Sequence, residues 1–228
     1  MSQVHTGHRE RLRKRLESDG LDGFQPHEIL ELILFYSIPR TDTNPIAHRL
    51  LRHFGSLSAV LEAPPSELIK VEGIGTTSAT LLSMIPAIAR RYLVDKNDAG
   101  AVLDSPQKLG EFIHPYFIGT NNEQLYLICL DKKRKLLNCT LVAEGSLGKV
   151  SVDMRLIIEI VVRCSASSVA LAHNHTQGFA LPSNDDIRVT SRIAEALKIL
   201  SVDVVDHIIV ARDDYVSFAQ SGLLVQRA

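Results

Sequence analysis

Charge of one sign, paired cysteines and long apolar runs are all missing from this sequence, and each absence removes a class of protein. Its 228 residues carry 25 Lys and Arg against 26 Asp and Glu, a formal net charge of -1. The balance persists when the chain is divided after residue 98, with 12 basic and 12 acidic residues before that point and 13 and 14 after it. A global electrostatic attraction to nucleic acid is therefore excluded, and any such contact must come from local placement. Three cysteines, Cys129, Cys139 and Cys164, are odd in number and set in apolar stretches, with no C-x-x-C pair. They read as reduced core residues, which excludes a disulfide framework. The N-terminus is polar and basic, and no apolar run approaches a membrane span, so the expectation is a soluble cytoplasmic protein without membrane contact.

No strand pattern precedes residue 100, so the first part of the chain is expected to be all-helical. Residues 8 to 16 place five basic side chains in a helix, either as a solvated face or as a phosphate-contacting arm. A broad apolar face follows from Pro26, formed by Ile29, Leu30, Leu32, Ile33, Leu34 and Phe35. Asp42, Thr43 or Asn44 can cap the next helix, and Asn44 fits best because Pro45 then fills the first helical position. Short helices are expected at 57 to 62 and 65 to 70. In residues 71 to 82, Gly73 and Gly75 allow a tight turn into a helix whose first amides (Gly73, Ile74, Gly75, Thr76, Thr77) are free to hold a phosphate. A glycine turn that merely packs two helices is the simpler reading, and Glu72 disfavours phosphate. The following helix is expected to reach Val94 with a bend at Pro86.

A change of composition divides the chain. Residues 1 to 95 are expected to form the helical domain, and residues 96 to 104, polar and without period, a linker. Residues 105 to 228 form the second domain, opened by Ser105-Pro106 in serine-cap, proline-first style. Gln124 to Leu130 read as a central strand that turns at the lysine-rich 131 to 135 and returns over 136 to 144. A helix at 153 to 165, a strand at 169 to 175, a helix at 183 to 200 and a strand at 203 to 210 complete a mixed sheet flanked by helices.

The chemistry is expected where Val169 to Ala172 lead into His173-Asn174-His175. Side chains two apart on a strand share a face, so both imidazoles reach one spot while Asn174 points away and supports the loop. The turn-rich residues 176 to 182 let the chain return a carboxylate, Asp186, to the same place. Two imidazoles and one carboxylate suit zinc, and a three-ligand set keeps a fourth position open for water. Ser183 and Asp186 also fit a capping box at a helix start. A proton acceptor for that water is still needed, and Glu123 and Glu144 both flank apolar strands.

The spacing H-x-H, seven residues, then S-x-x-D resembles the JAMM motif of MPN-domain metallopeptidases, and its surroundings resemble the bacterial RadC family, whose name is linked to DNA repair. The likeness extends to the helix start at Arg155, to Asp206-His207 and to Ser217-Phe218. It implies a C-terminal α/β MPN domain in which His173, His175 and Asp186 bind Zn2+ and Ser183 stabilises the oxyanion. It also implies that Glu123, eight residues before Asp131, is the base in hydrolysis of a peptide or isopeptide amide in a protein substrate. Residues 71 to 82 resemble a helix-hairpin-helix, a non-specific DNA-backbone binder. Thr176-Gln177 stands where that family carries Pro-Ser, and Leu156 where it carries an acid. His207 could orient a ligand, but as a lone histidine after Asp206 it is read as structural and left out of the site. A DNA-binding protein with a non-catalytic scaffold is the competing expectation. A nuclease ranks lower, because the carboxylate cluster of a two-metal site is missing, and a zinc deaminase lacks its H-x-E and P-C-x-x-C signatures.

Overall fold

The computed structural model describes residues 3–97, 100–145, 152–176, 179–212 and 214–224, with side chains from residue 7 onward. The chain forms two compact units, Met1–Ala89 and Arg90–Ala228. The first is helical, with α1 (Gln3–Asp19), α2 (Pro26–Leu34), α3 (Asn44–Phe54), α4 (Leu57–Glu62) and α5 (Pro65–Leu68). α6 (Thr76–Lys96) begins in this unit and carries Pro86 within it. The core gathers Leu30 and Leu34 of α2, Ile46 and Leu50 of α3, Val60, Leu68 and Leu82.

The basic side chains of α1 serve this packing. The Arg9 guanidinium lies 4.6 Å over the Phe35 ring and donates to the Ile38 carbonyl at 2.8 Å. Arg15 lies 4.2 Å over Phe24 and donates to the Glu28 carboxylate at 2.8 Å. The expected cap of α3 is corrected by one residue. Thr43 is the N-cap and Asn44 the first helical residue, because Asp42 accepts the Asn44 amide at 3.0 Å while the Asn44 side chain donates to buried Glu31 at 3.1 Å.

The second unit contains α7 (Pro106–Ile113), capped by Ser105, whose hydroxyl accepts the Lys108 amide at 3.3 Å. A short 3-10 turn over His114–Phe117 leads to a five-stranded sheet. Its strands are β1 (Gln124–Leu130), β2 (Leu136–Glu144), β3 (Ser168–Asn174), β4 (Asp203–Ala211) and β5 (Asp214–Ser217), in the order β2-β1-β3-β4-β5. β3 pairs antiparallel with β1 and parallel with β4, so the sheet is mixed. The Asp131 carboxylate closes the β1–β2 turn by accepting the Lys133 and Lys135 amides at 2.7 and 2.9 Å. Ala101 and Leu103 hydrogen-bond to this hairpin, through Leu136 N–H to Ala101 and Leu103 N–H to Arg134.

The helices α8 (Met154–Arg163) and α9 (Asn184–Lys198) cover one face of the sheet, where Leu125, Leu127, Val169 and Leu171 meet Ile157, Val161, Ile193 and Leu197. The other face meets α7, with Ile128, Ala170, Ala172 and Ile208 against Leu109, Phe112 and Ile113. β3, central and covered on both sides, is buried along its whole length. No helix among the described residues is long and apolar enough to cross a membrane. The three cysteines are free, and burial pushes the Cys129 and Cys139 thiols up to about 12.

Candidate metal centre

β3 ends where the sheet meets the start of α9, and that junction assembles the centre. Alternation along β3 puts Val169, Leu171 and His173 on the α9 face. His175 follows one residue past the strand and is held in line by its amide, which donates to the Val210 carbonyl of β4 at 2.8 Å. The His173 and His175 rings lie 4.7 Å apart between centroids. Asp186, in the first turn of α9, brings Oδ1 to 3.2 Å from His173 Nε2 and Oδ2 to 3.4 Å from His175 Nε2. One donor atom from each of the three residues lies within 4.8 Å of the others, a group that can hold a metal ion.

The donor chemistry fits a metal. His175 Nδ1 faces the Phe179 carbonyl at 3.4 Å; a carbonyl only accepts, so Nδ1 carries a proton and Nε2 is the nitrogen left to bind a metal. His173 is 1% exposed, and its Nε2 is a buried nitrogen without a hydrogen-bond partner. Burial pushes the Asp186 carboxyl up, but the two imidazoles and Ser183 outweigh it and hold the group well below the usual carboxylate range. The same contact with Asp186 raises the His175 pKa against the effect of burial.

Ser183 and Asp186 form the capping box of α9. The Ser183 hydroxyl accepts the Asp186 amide at 3.2 Å, and Asp186 Oδ2 accepts the Ser183 amide at 2.7 Å. The cap and the metal-ligand readings are therefore compatible, because the cap fixes the carboxylate that faces the histidines. The Ser183 hydroxyl thus lies against both the amide and the carboxylate of Asp186.

Asn174 turns to the opposite side. Its Oδ1 accepts the Gln124 amide at 2.7 Å, and its Nδ2 donates to Thr120 Oγ1 at 3.2 Å and to the Asn122 carbonyl at 3.1 Å. It thus clamps the segment entering β1, a different partner from the loop expected to follow the histidines. Of that loop, Gln177 and Gly178 lie outside the described residues; Thr176 is exposed, as are the Phe179 and Leu181 side chains.

The strand register separates the two candidate bases. Leu125 lies opposite His173, so Glu123, two residues earlier and on the same face, comes level with His175. Its charge is among the influences raising the His175 pKa. Glu144 pairs with Gln124, on the other face, and accepts from the Asn122 side chain at 3.1 Å.

Two polar residues that sequence reasoning did not place in the centre lie directly behind it. His207 of β4, wholly buried, puts Nε2 2.8 Å from His173 Nδ1 and Nδ1 2.6 Å from Thr190 Oγ1. Burial holds the His207 pKa well below its ordinary value. The signal available in sequence was Thr190 itself, four residues after Asp186 and on the same helical face.

In the helical unit, Gly73 sits at φ +93, and a Cβ there would come within 2.9 Å of Ile46 Cδ1, so the turn into α6 requires glycine on two counts. Gly75 faces open space. Ile74 is buried, while Thr76 and Thr77 are exposed at the start of α6.

Residues 103–223 match the family model described as the RadC-like JAB domain. The chain is also 35% identical over 227 residues to a UPF0758 protein of Fusobacterium nucleatum, covering 96% of this chain and 97% of that one. With a helical first unit, a mixed sheet flanked by helices and a His-His-Asp group at the end of its central strand, the chain belongs to the RadC-like JAB domain family.

Proposed function

We propose that this chain is a zinc-dependent hydrolase that cleaves a peptide or isopeptide amide in a protein substrate. The observation that carries the reading is the buried, unpartnered Nε2 of His173 beside His175 and Asp186. His173, His175 and Asp186 would hold Zn2+, a metal suited to two neutral imidazoles, a carboxylate and one open position. Bound there, zinc polarises a carbonyl and lowers the pKa of water toward neutrality. Glu123 takes the proton from the attacking water and delivers it to the leaving amine. The Ser183 hydroxyl turns to the oxygen on which negative charge develops and stabilises it. Incubation of the zinc-loaded protein with a library of peptide and isopeptide-linked substrates tests this. Turnover should be lost in Glu123→Gln while the bound zinc stays. A wild type that holds zinc and cleaves nothing across the library favours the non-catalytic scaffold instead.

A separate observation supports a second activity for the helical unit. A cavity of about 360 Å³ beside the glycine turn is lined by Arg49, Arg52, His53, Val71 and Glu72. We propose that the turn over residues 71 to 82 works as a helix-hairpin-helix, with the amides of Gly73 and of Gly75 to Thr77 and these basic side chains contacting the DNA backbone without reading sequence, while the expected Ile74 contact is withdrawn because its amide donates to the Val71 carbonyl at 3.0 Å. Fluorescence anisotropy with duplexes of unrelated sequence should show salt-dependent binding that weakens in Arg52→Ala. Binding indifferent to salt and to that substitution would remove this reading.

A further inference from the structure

Behind the metal group, a chain of hydrogen bonds runs through three elements and ends on a backbone carbonyl, which determines the direction of every proton in it. Thr190 Oγ1 lies 2.6 Å from the Asp186 carbonyl, and a carbonyl only accepts, so the single hydroxyl proton points there. Toward His207 Nδ1, also 2.6 Å away, the same oxygen must then accept, which places a proton on His207 Nδ1. The His207 ring is 0% exposed and its nitrogens meet only a hydroxyl and another imidazole. With no carboxylate hydrogen-bonded to offset a buried charge, the ring is neutral and its Nε2 is an acceptor. His173 Nδ1, 2.8 Å from it, therefore carries the proton. A neutral His173 protonated at Nδ1 has its lone pair on Nε2, the atom that faces Asp186 without a hydrogen bond.

We propose that His207 and Thr190 are positioning residues that lock His173 in the Nδ1–H tautomer and so present Nε2 as a preformed metal ligand. The proposal rests on the metal reading of the His173, His175 and Asp186 group and adds to it the device that orients its most buried member. Asp206 supports the device from behind, its carboxylate accepting the His207 and Ala219 amides at 2.7 and 2.9 Å and the Ser217 hydroxyl at 2.6 Å. Because Thr190 lies four residues after Asp186 on α9, the helix that supplies the carboxylate also sets the tautomer of the histidine facing it.

Thr190→Val keeps the shape of the side chain and removes the hydroxyl. His207 Nδ1–H would then be buried without an acceptor, so the ring exchanges tautomers and donates through Nε2, driving the His173 proton to Nε2. Long-range proton–nitrogen correlation spectra of the full-length, metal-free protein with nitrogen-15 histidine report this directly. The expected result is an Nδ1–H His173 in the wild type, an Nε2–H His173 in Thr190→Val, and the wild-type pattern restored in Thr190→Ser. Zinc affinity, read by competition with a chromogenic chelator, should fall about 10- to 100-fold in Thr190→Val and recover in Thr190→Ser. An Nε2–H His173 in the wild-type protein, or a tautomer and affinity unmoved by Thr190→Val, overturns the proposal. A wild type with Nδ1–H His173 that binds no zinc sinks the metal reading and leaves the tautomer device standing. If Thr190→Val does not fold, the wild-type and Thr190→Ser spectra still decide the tautomer.

Discussion

Asn174 shows how one side chain can carry a site it does not enter. It sits between two histidines of the metal group and spends its amide on Gln124, Thr120 and Asn122, which fixes the stretch that contains Glu123. Asn174→Ala removes the partner of the half-buried Gln124 amide and of the Asn122 carbonyl and should lower the unfolding free energy by about 1 kcal/mol, measured by urea denaturation. Metal stoichiometry should be unchanged, since no ligand is touched. At this scale much of the site is legible in sequence. The two-residue period of a strand alone puts His173 and His175 together, and the S-x-x-D spacing sets Asp186 on the first turn of a helix. Residues that become neighbours through strand pairing are not legible that way. His207 meets His173 because β3 and β4 run parallel, and only the pairing of the strands shows that Glu123 and Glu144 lie on opposite faces of the sheet.

Among the elements, α9 has the heaviest duty, because the acid of its capping box, Asp186, is also the carboxylate that faces the two histidines. Ser183→Ala should cost about 1 kcal/mol of stability through the lost cap and, on the proposed mechanism, about a hundredfold in turnover, with bound metal retained. Ser183→Thr should restore the cap. Thermal unfolding, turnover and metal content measured on the same samples separate these effects. The start of α2 gives a prediction in pH. The Gln25 amide and the Arg15 guanidinium hold the Glu28 carboxyl below its ordinary value of 4.5. Because the folded pKa is depressed, the stabilisation is in place above that ordinary value and is lost as pH falls through the folded one. Glu28→Gln should therefore cost about 1 kcal/mol at neutral pH, and its urea midpoint should converge with the wild type in acid. Element boundaries were mostly legible from caps and apolar period. β5 was not, since four residues opening on Asp214 are too few to show alternation.

For the molecule as a whole, the composition shift near residue 100 foretold an all-helical part followed by a mixed sheet. The chain divides at Ala89 and Arg90, within α6, which local sequence reads as one continuous helix. Periodicity reports local structure and cannot report which unit a helix packs into. The central claim is that the His173, His175 and Asp186 group holds one metal ion. Elemental analysis of tag-free protein, wild type beside His175→Ala and Asp186→Ala, tests it most directly. The account predicts about one zinc per chain in the wild type and its loss in both variants. A wild type without stoichiometric metal, or metal indifferent to either substitution, would contradict it.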